Sequence, residues 1–363
     1  MYRTTRNNGQ VYGTLKTLDQ TFNQPRTQTQ STTGNSDEKV RDNVHNNNKI
    51  TTGKTEPVEK YSSIQYNQTE KQLLQTFSSL TLSFQKISSL SPREIADKYD
   101  LPETSRLVEC NPSGTTQIGW ISKVNSNATS VDTDTTNRTA APIIPPLIFQ
   151  SWKTNHLSYK MCQHVLTWSR LNPEYDYFLF DDHSVDSFIQ KEYGNDIFSA
   201  FSCVKQGAAK CDVWRLMTMF IFGGTYFDFD ATSNSAFSKW EFGNRTVVSG
   251  RGCNNKRFKT GCGHQWGLIY APFHPVMRSA IEETLGNLAK RTANHIYDVS
   301  FWAFNHAWVN GPYNSSYMPG WGDNMGGRVE FFVKEVKNEM ISQNGHWPDA
   351  NGNINAIWHS KCF

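Results

Sequence analysis

The chain has 363 residues and a formal net charge of +3, with 19% charged, 37% hydrophobic and 13% aromatic side chains. A typical soluble protein carries about 25% charged residues, so this composition excludes a coiled coil. The excess of positive charge lies in residues 1–60, where nine Lys or Arg stand against six Asp or Glu. The rest of the chain is neutral, and we expect no nucleic-acid partner bound through bulk charge.

The apolar runs of the chain are short. The longest, residues 213–222, contains Arg215 and falls below the roughly 20 residues that span a bilayer. Residues 1–10 lack the apolar stretch of a secretory signal. No membrane anchor is visible in the sequence, and two locations stay open: the cytoplasm, or the Golgi or secretory lumen if an anchor precedes the sequence.

The cysteines give a weak signal. Seven of them are scattered over the chain, too few for a disulfide framework. Cys253 and Cys262 flank a short loop and could form one disulfide. No Cys-x-x-Cys pair is present in the sequence, so the cysteines do not predict a zinc site.

The N-terminal third differs from the rest. Residues 1–64 are rich in Gln, Asn, Thr and Ser and show no sustained period, which predicts disorder or a stem. In residues 65–110, apolar side chains recur at helical spacing, and Ser91 before Pro92 predicts the cap and first turn of a second helix. We interpret this segment as a helical neck that packs on the main domain. Residues 111–142 are polar and predict a connector.

Residues 143–363 alternate between predicted strands and helices. Gly223 and Gly224 form a turn that ends an apolar helix. This alternation predicts an α/β domain with a mainly parallel sheet flanked by helices, whose ligands bind at the carboxyl ends of the strands. The predicted strands are residues 143–150, 175–180, 225–230 and 267–271, and the predicted helices are residues 159–171, 185–193 and 207–222.

Two aspartates close the strand predicted at 225–230. Because side chains alternate along a strand, Asp228 and Asp230 are expected on one side and Phe229 in the sheet. Two such carboxylates favour Mg²⁺ or Mn²⁺, with a diphosphate completing the coordination shell. The ion would neutralise a nucleoside-diphosphate leaving group. The same spacing at residues 132–134 lies in the polar connector, and we interpret it as a solvated loop.

Two charges lie on the helix predicted at 207–222. Asp212 and Arg215 are three residues apart and therefore share one face. One interpretation is an exposed ion pair of little consequence. The other is that this apolar helix is buried, so that its charges need polar partners such as the hydroxyls and phosphate of a sugar donor.

These segments resemble a known family. Residues 210–215 and 222–230 are similar to the central signature of the DXD-containing sugar-transferase region of glycosyltransferase family 32. That family includes fungal alpha-1,6-mannosyltransferases, inositol-phosphoceramide mannosyltransferases and vertebrate alpha-1,4-hexosyltransferases. The resemblance covers about residues 143–363, and further similar segments are residues 144–153, 168–175, 271–275 and 310–312.

The resemblance implies a GT-A-type nucleotide-diphospho-sugar transferase fold and a retaining transfer that depends on Mn²⁺ or Mg²⁺. Asp230 would bind the metal, and Asp228 would bind the metal or the ribose. Asp212 and Arg215 would hold the donor sugar and its diphosphate as catalytic and donor-binding residues. Tyr226 is expected among the donor-binding residues.

Other residues are assigned by the same resemblance. Phe149, Gln150 and Trp152 would line the nucleobase pocket, where an aromatic ring can stack on a base. Core packing is the alternative for Trp152. His359 would complete the metal shell, against the alternative of an ordinary surface histidine.

The acceptor side is less defined. The loop 261–265 is interpreted as an active-site loop in which His264 or Gln265 approaches the reacting carbon, and Gln265 is the catalytic candidate. Aromatic side chains between Phe301 and Trp321 either bind the acceptor sugar or form core.

The leading hypothesis is a retaining hexosyltransferase that uses GDP-mannose or a UDP-hexose as donor and a glycan or glycolipid hydroxyl as acceptor. One alternative is an effector glycosyltransferase that modifies a protein acceptor. Another is a catalytically silent carbohydrate-binding protein of the same fold. The sequence holds no Gly-x-Ser-x-Gly or His-Glu-x-x-His motif, which argues against acyl hydrolases and zincins.

Overall fold

The computed structural model describes residues 59–124, 143–240, 242, 244–248, 251–253, 262–310, 329–331 and 357–362. The chain divides into two compact units, Met1–Thr55 and Glu56–Phe363, and the described residues all belong to the second. Most of the predicted stem and the Asp-Thr-Asp triplet at 132–134 lie outside the described residues. Among the helices of the described ranges, none is both long and apolar enough to cross a membrane.

The second unit alternates helices with short strands. Its helices are α1 Glu59–Ser79, α2 Thr81–Ser88, α3 Pro92–Lys98, α4 Tyr159–Leu171, α5 Asp182–Ser202, α6 Gly207–Phe222, α7 Pro275–Lys290 and α8 Phe301–Asn310. Its strands are β1 Thr115–Gln117, β2 Trp120–Ile121, β3 Leu147–Ser151, β4 His156–Ser158, β5 Asp176–Phe180, β6 Gly224–Phe227, β7 Ala231–Ser233, β8 Val247–Val248, β9 Arg251–Cys253, β10 Cys262–Gly263, β11 Gly267–Tyr270 and β12 Val329–Phe331.

Six strands form the central sheet in the order β2-β5-β3-β6-β11-β8. The predicted α/β fold with a sheet flanked by helices is confirmed. The sheet is mixed rather than mainly parallel: β5, β3 and β6 are parallel, whereas β2, β11 and β8 pair antiparallel. Helices connect β3 to β5 and β5 to β6, as parallel pairs require, whereas the described residues between β6 and β11 contain no α-helix.

The two faces of the sheet carry separate apolar clusters. The first cluster includes Phe149 of β3 and side chains of α5, α6 and α7. The second includes Ile148 of β3 and side chains of α4. This division follows from the alternation of side chains along β3, and it covers the sheet with helices on both faces.

A glycine pair connects α6 to β6. Gly223 and Gly224 have φ angles of 61° and 85°, which only glycine adopts without strain. A Cβ at Gly224 would stand 2.8 Å from the carbonyl oxygen of Leu147 on β3. The predicted end of the helix is confirmed, and the tight turn brings β6 back against the helix that precedes it.

The N-terminal helices share the first cluster. Ser91 caps α3, accepting from the Glu94 N–H while Glu94 accepts from the Ser91 N–H, as the Ser-Pro signal predicted. Phe77 and Phe84 pack against Tyr193 of α5, with ring centroids 6.2 and 5.0 Å away. The first of these helices begins at Glu59, inside the segment predicted as a stem.

The prediction of a polar connector is wrong for residues 115–121. Trp120 and Ile121 form β2, the buried edge strand that pairs with β5. A strand of two residues is too short to produce a hydrophobic period, so the sequence pattern did not reveal it. Residues 125–142 are not among those the structure describes.

The described residues form two disulfides that the sequence did not predict. They join Cys110 to Cys162 and Cys203 to Cys362. Cys253 and Cys262 are register partners in the β9–β10 pair, but their side chains are outside the described part of the chain, so the proposed bond between them stays a prediction.

Candidate functional site

A buried ion-pair network joins α6 to the end of β6. Arg215 is 5% exposed. Its Nη2 donates to Asp212 Oδ1, and its Nη1 donates to Asp228 Oδ1. Tyr226 donates its hydroxyl hydrogen to the same oxygen of Asp228 at 2.7 Å. Because Asp212 and Arg215 are both buried, the interpretation as an exposed surface ion pair is wrong.

The electrostatics of this network follow from its burial. Desolvation raises the pKa of Asp212 to about 7, and Asp228 adds to the rise while Arg215 opposes it. Burial alone would lower the pKa of Arg215, but the charges of Asp212 and Asp228 outweigh it and raise the pKa well above its ordinary value. The network therefore holds a permanent cation beside an acid that can be neutral or charged near neutral pH.

A thiol lies next to the network. Cys211 is the free cysteine of the described residues. Its Sγ is 2.9 Å from Ser151 Oγ and 3.1 Å from the Tyr226 hydroxyl. Burial raises its pKa to about 11, so it stays a protonated thiol at neutral pH. Its contacts tie the end of β3 to α6 beside Asp212.

The two aspartates lie in a turn and not on a strand. Strand β6 ends at Phe227, and the Ala231 N–H donates to the Asp228 carbonyl at 2.9 Å, which closes a turn over residues 228–231. The expected strand alternation is therefore wrong for this pair. Phe229 is buried as predicted, and its ring stacks on Trp152 with centroids 4.6 Å apart. Asp228 and Asp230 remain partly exposed at the carboxyl end of β6.

Two residues expected in a nucleobase pocket lie in the interior. Phe149 is fully buried and packs between Phe178 and Phe222, at centroid distances of 5.2 and 5.8 Å. Gln150 is also 0% exposed, and its Nε2 lies 3.0 Å from the Asp228 carbonyl oxygen. The expected base contacts are wrong for both, because helices cover β3 on its two faces.

Trp152 follows β3 and is partly exposed. One face of its indole stacks on Phe229. Its Nε1 is buried and has no hydrogen-bond partner within the described part of the molecule. A stacking role toward a base stays a prediction for this ring, since it borders the second cluster rather than filling it.

Gln265 reaches the same network from the other side. It is 2% exposed. Its Nε2 lies 3.5 Å from the Asp212 carbonyl and 3.3 Å from Ser300 Oγ, and its Oε1 has no partner among the described residues. His264 is also buried, with its ring 4.5 Å from that of Trp266. The structure therefore brings Gln265 to Asp212, as a shared site requires.

Known proteins match this part of the chain. Residues 158–247, which hold the ion-pair network and the Asp228 turn, match the family described as "Glycosyltransferase sugar-binding region containing DXD motif". Over these residues the chain is similar to a glycosyltransferase sugar-binding region. The resemblance seen in the sequence is confirmed over these residues.

Curated proteins that the chain matches include mannosyltransferases. "Inositol phosphoceramide mannosyltransferase 3" of Schizosaccharomyces pombe is 32% identical over 98 residues, 27% of each chain. "Initiation-specific alpha-1,6-mannosyltransferase" of Candida albicans is 26% identical over 102 residues, 26% of each chain. The matched segments thus span about a quarter of these relatives. Among solved structures, "PaToxG Glycosyltransferase" aligns with a TM-score of 0.36 and 16% identity, over 55% of this chain and 75% of that chain.

Residues 158–247 offer two carboxylates, Asp228 and Asp230, to a metal. Within the described ranges, no group of three or more His, Cys, Asp or Glu side chains could hold an ion, so His359 is not brought together with Asp228 and Asp230. His359 instead lies beside the C-terminal end of α5, its N–H donating to the Cys203 carbonyl at 2.9 Å. Hard carboxylate oxygens fit Mg²⁺ or Mn²⁺. The carboxylates of Asp228 and Asp230 would form part of the coordination shell of such an ion, and a donor diphosphate would complete it.

The aromatic segment expected to bind acceptor divides in two. Phe304 and Trp308 are buried on α8 and belong to the core. Phe301 and Trp302 are partly exposed, with ring centroids 4.9 Å apart. Residues 311–321 are not part of the described structure, so their role stays a prediction.

Sequence reasoning did not find Tyr177, Ser151 and Ser300, which contact site residues in the structure. Tyr177 donates to Gln150 Oε1 at 2.9 Å. Tyr177 lies on a strand that is buried along its whole length. A buried tyrosine hydroxyl needs a hydrogen-bond partner, and this was the signal that could have identified Tyr177. Ser300 had no such signal, because its contact depends on how α8 packs.

Proposed function

We propose that this protein is a retaining, divalent-metal-dependent hexosyltransferase that moves a hexose from a nucleotide sugar to a hydroxyl of a glycan or glycolipid. The observation that carries the proposal is the buried Arg215, held between Asp212 and Asp228 at the carboxyl end of the parallel strands. The match of residues 158–247 to a sugar-binding region and the mannosyltransferase relatives support it. A GT-A-type fold is part of the proposal.

The donor would bind along this edge of the sheet. Arg215 is a permanent cation whose fork of donors suits a diphosphate. Asp212 would accept hydrogen bonds from sugar hydroxyls. These bonds would take the place of the water that its buried carboxylate lacks. Trp152 would stack on the base, and its Nε1, which has no partner within the described ranges, would donate a hydrogen bond to it.

Asp230 and the second carboxylate oxygen of Asp228 would hold Mn²⁺ or Mg²⁺ beside the diphosphate. The ion supplies Lewis-acid neutralisation of the charge that grows on the leaving group. Asp228 Oδ1 is already held by Arg215 and Tyr226. This arrangement fixes the direction in which the remaining oxygen of Asp228 points.

Retention would require the acceptor hydroxyl to attack from the face that the leaving group vacates. Gln265 is the residue that we place nearest the reacting carbon, because its Nε2 contacts the Asp212 carbonyl and its buried Oε1 has no partner among the described residues. The amide oxygen of Gln265 can accept a hydrogen bond from the acceptor hydroxyl. It carries no negative charge, so it cannot act as an ionised nucleophile that displaces the leaving group.

A mannosyl donor, GDP-mannose, is the first choice because the matched relatives are named mannosyltransferases. The proposed location is an oxidising lumen such as the Golgi. Two disulfides support it, since disulfides form in secretory compartments and are rare in the cytosol.

The test is a donor screen with Mn²⁺ and GDP-mannose, UDP-galactose, UDP-glucose or UDP-N-acetylglucosamine, measuring the release of GDP or UDP. We expect release from one donor, its loss in Asp230→Asn, and retention in Asp97→Asn, an exposed aspartate on α3. Metal and nucleotide together should raise the melting temperature more than either alone, since ligand at about 100 times its Kd adds about 2.7 kcal/mol. Absence of both nucleotide release and joint stabilisation would contradict the proposal.

A further inference from the structure

The turn at residues 228–231 is held from both faces of the sheet. On the face of the first cluster, Arg215 and Tyr226 bind the Asp228 side chain. On the opposite face, Gln150 binds the backbone: its Nε2 lies 3.0 Å from the Asp228 carbonyl oxygen and 3.4 Å from that of Phe227. The ion-pair network explains the first set of contacts but gives no reason for the second.

Gln150 stands where two strands separate. The parallel pairing of β3 with β6 ends at Phe149 and Tyr226, whereas the pairing of β3 with β5 continues to Ser151 and Phe180. Beyond Phe149, the β6 side of β3 has no ladder partner. The side-chain amide of Gln150 takes the place of the missing backbone donor for the residues that follow Tyr226.

The orientation of this amide is itself set by a hydrogen bond. The Tyr177 hydroxyl donates to Gln150 Oε1 at 2.9 Å. An amide oxygen accepts and an amide nitrogen donates, so this contact turns the NH₂ group of Gln150 toward the two carbonyls. Both residues are fully buried, and water cannot replace either bond.

We infer that Gln150, oriented by Tyr177, is a positioning residue that fixes the turn carrying Asp228 and Asp230. It acts on the backbone of the turn and not on a nucleobase. The inference rests on the proposed function, because its consequence is the affinity of these carboxylates for metal and donor. Without the amide, the Asp228 carbonyl keeps its bond from the Ala231 N–H, so the turn would loosen rather than unfold.

The test compares Tyr177→Phe, Gln150→Met and the double variant with Tyr193→Phe. Tyr193 is the matched control: it is equally buried, and its hydroxyl donates to the Met217 carbonyl at 2.8 Å, away from the turn. For Gln150→Met and Tyr177→Phe we expect the activation constant for Mn²⁺ and the donor KM to rise about ten-fold, as for loss of one buried hydrogen bond. The kcat at saturating Mn²⁺ and donor should stay near the wild-type value.

The double variant separates positioning from simple destabilisation. Tyr177 acts through Gln150, so Tyr177→Phe should change the Mn²⁺ constant little once Gln150 is already methionine. Tyr193→Phe should lower the melting temperature and leave the Mn²⁺ constant unchanged. If Tyr177→Phe behaves like Tyr193→Phe, or if the two substitutions add fully, the inference is overturned. If Gln150→Met fails to fold, Tyr177→Phe is compared with Tyr193→Phe alone, because each of these substitutions removes only a hydroxyl group.

Amide hydrogen exchange gives a readout that needs no activity. The Ala231 N–H bonds the carbonyl that Gln150 holds, so its exchange in metal-free protein should be faster in Tyr177→Phe than in Tyr193→Phe. Unchanged exchange would contradict the positioning role. If the wild type binds no metal or nucleotide but the exchange difference is present, the proposed function fails while the structural role of Gln150 holds.

Discussion

Replacing Arg215 by methionine removes the guanidinium that Asp212 and Asp228 share. Methionine keeps much of the side-chain length, so the main change is the loss of the charge and its hydrogen bonds. The side chain of Asp212 is 11% exposed and that of Asp228 is 33% exposed. Asp228 can therefore turn to solvent, and the effect of the substitution on stability falls chiefly on Asp212.

The size of the effect depends on pH in a defined way. In the wild type, the pKa of Asp212 is raised to about 7, against about 3.9 in the unfolded chain. Between about pH 4 and about pH 7, Asp212 is therefore protonated in the folded state and ionised in the unfolded state. The free energy of unfolding falls as pH rises through this range. Without Arg215 the pKa of Asp212 rises further, since the arginine opposes the shift. The variant goes on losing stability above pH 7, by about 1.4 kcal/mol per pH unit, where the wild type has stopped.

The assay is urea unfolding from about pH 6 to about pH 9, the range that brackets the Asp212 titration. We expect the stability deficit of Arg215→Met to be nearly constant below pH 7 and to widen above it. In the double variant Arg215→Met/Asp212→Asn the deficit should not widen, because no acid is left there to titrate. Arg278→Met is the matched control, since Arg278 pairs with Glu282 on the exposed surface of α7 and should change stability by about 1 kcal/mol or less at any pH.

Two results would refute this reasoning. A deficit that is independent of pH would show that Asp212 does not titrate as a buried acid. A widening deficit that persists in the double variant would assign the titration to another group. Neither variant should recover nucleotide release, because both lack the cation proposed to hold the diphosphate.

Three further predictions concern stability. Burial lowers the pKa of His274 to about 4, while its Nδ1 accepts from the Val276 N–H at the start of α7, so the unfolded state gains the proton first as pH falls. Stability should drop by about 3 kcal/mol between pH 6.5 and 4, and His274→Asn, which keeps the cap, should lose this slope in acid urea curves; equal slopes would contradict it. Phe77→Ala should cost about 3 to 5 kcal/mol in urea unfolding, as for a core residue, and a loss below about 1 kcal/mol would show a detachable neck. Gly224→Ala should cost about 1 to 3 kcal/mol or more, from its positive φ and its contact with Leu147, and an unchanged melting temperature would contradict the close approach.

The regular elements with strong local signals were predictable. The helices at 159–171 and 207–222 were placed at the bounds the structure has, because a long apolar period and a glycine pair mark them. The end of the helix predicted at 185–193 is confirmed, because Gly194, with a φ of 79°, interrupts α5 there. The helix begins slightly earlier, at Asp182, and a second helical stretch runs from the kink to Ser202. A glycine with positive φ commonly ends a helix, so the end of this first stretch could be predicted from the sequence.

The alternation rule gave the faces of β3 but not what covers them. It places Phe149 on one face and Ile148 and Gln150 on the other, and Phe149 and Ile148 do belong to different apolar clusters. Exposure is a different property, which depends on α4 and α6 packing over the sheet. The resemblance assigned both Phe149 and Gln150 to a nucleobase pocket, although the structure buries them completely.

Separation along the chain explains which site contacts could be predicted. Arg215 is three residues from Asp212 and 13 from Asp228, so a helix, a glycine turn and a strand suffice to bring all three together. Gln150 is 78 residues from Asp228, and Gln265 is 53 residues from Asp212. No local pattern encodes such contacts, because they depend on strand order and on where β3 and β6 part. The ion-pair network is thus a property of one continuous segment, whereas the orientation of the turn that carries Asp228 and Asp230 depends on the whole sheet.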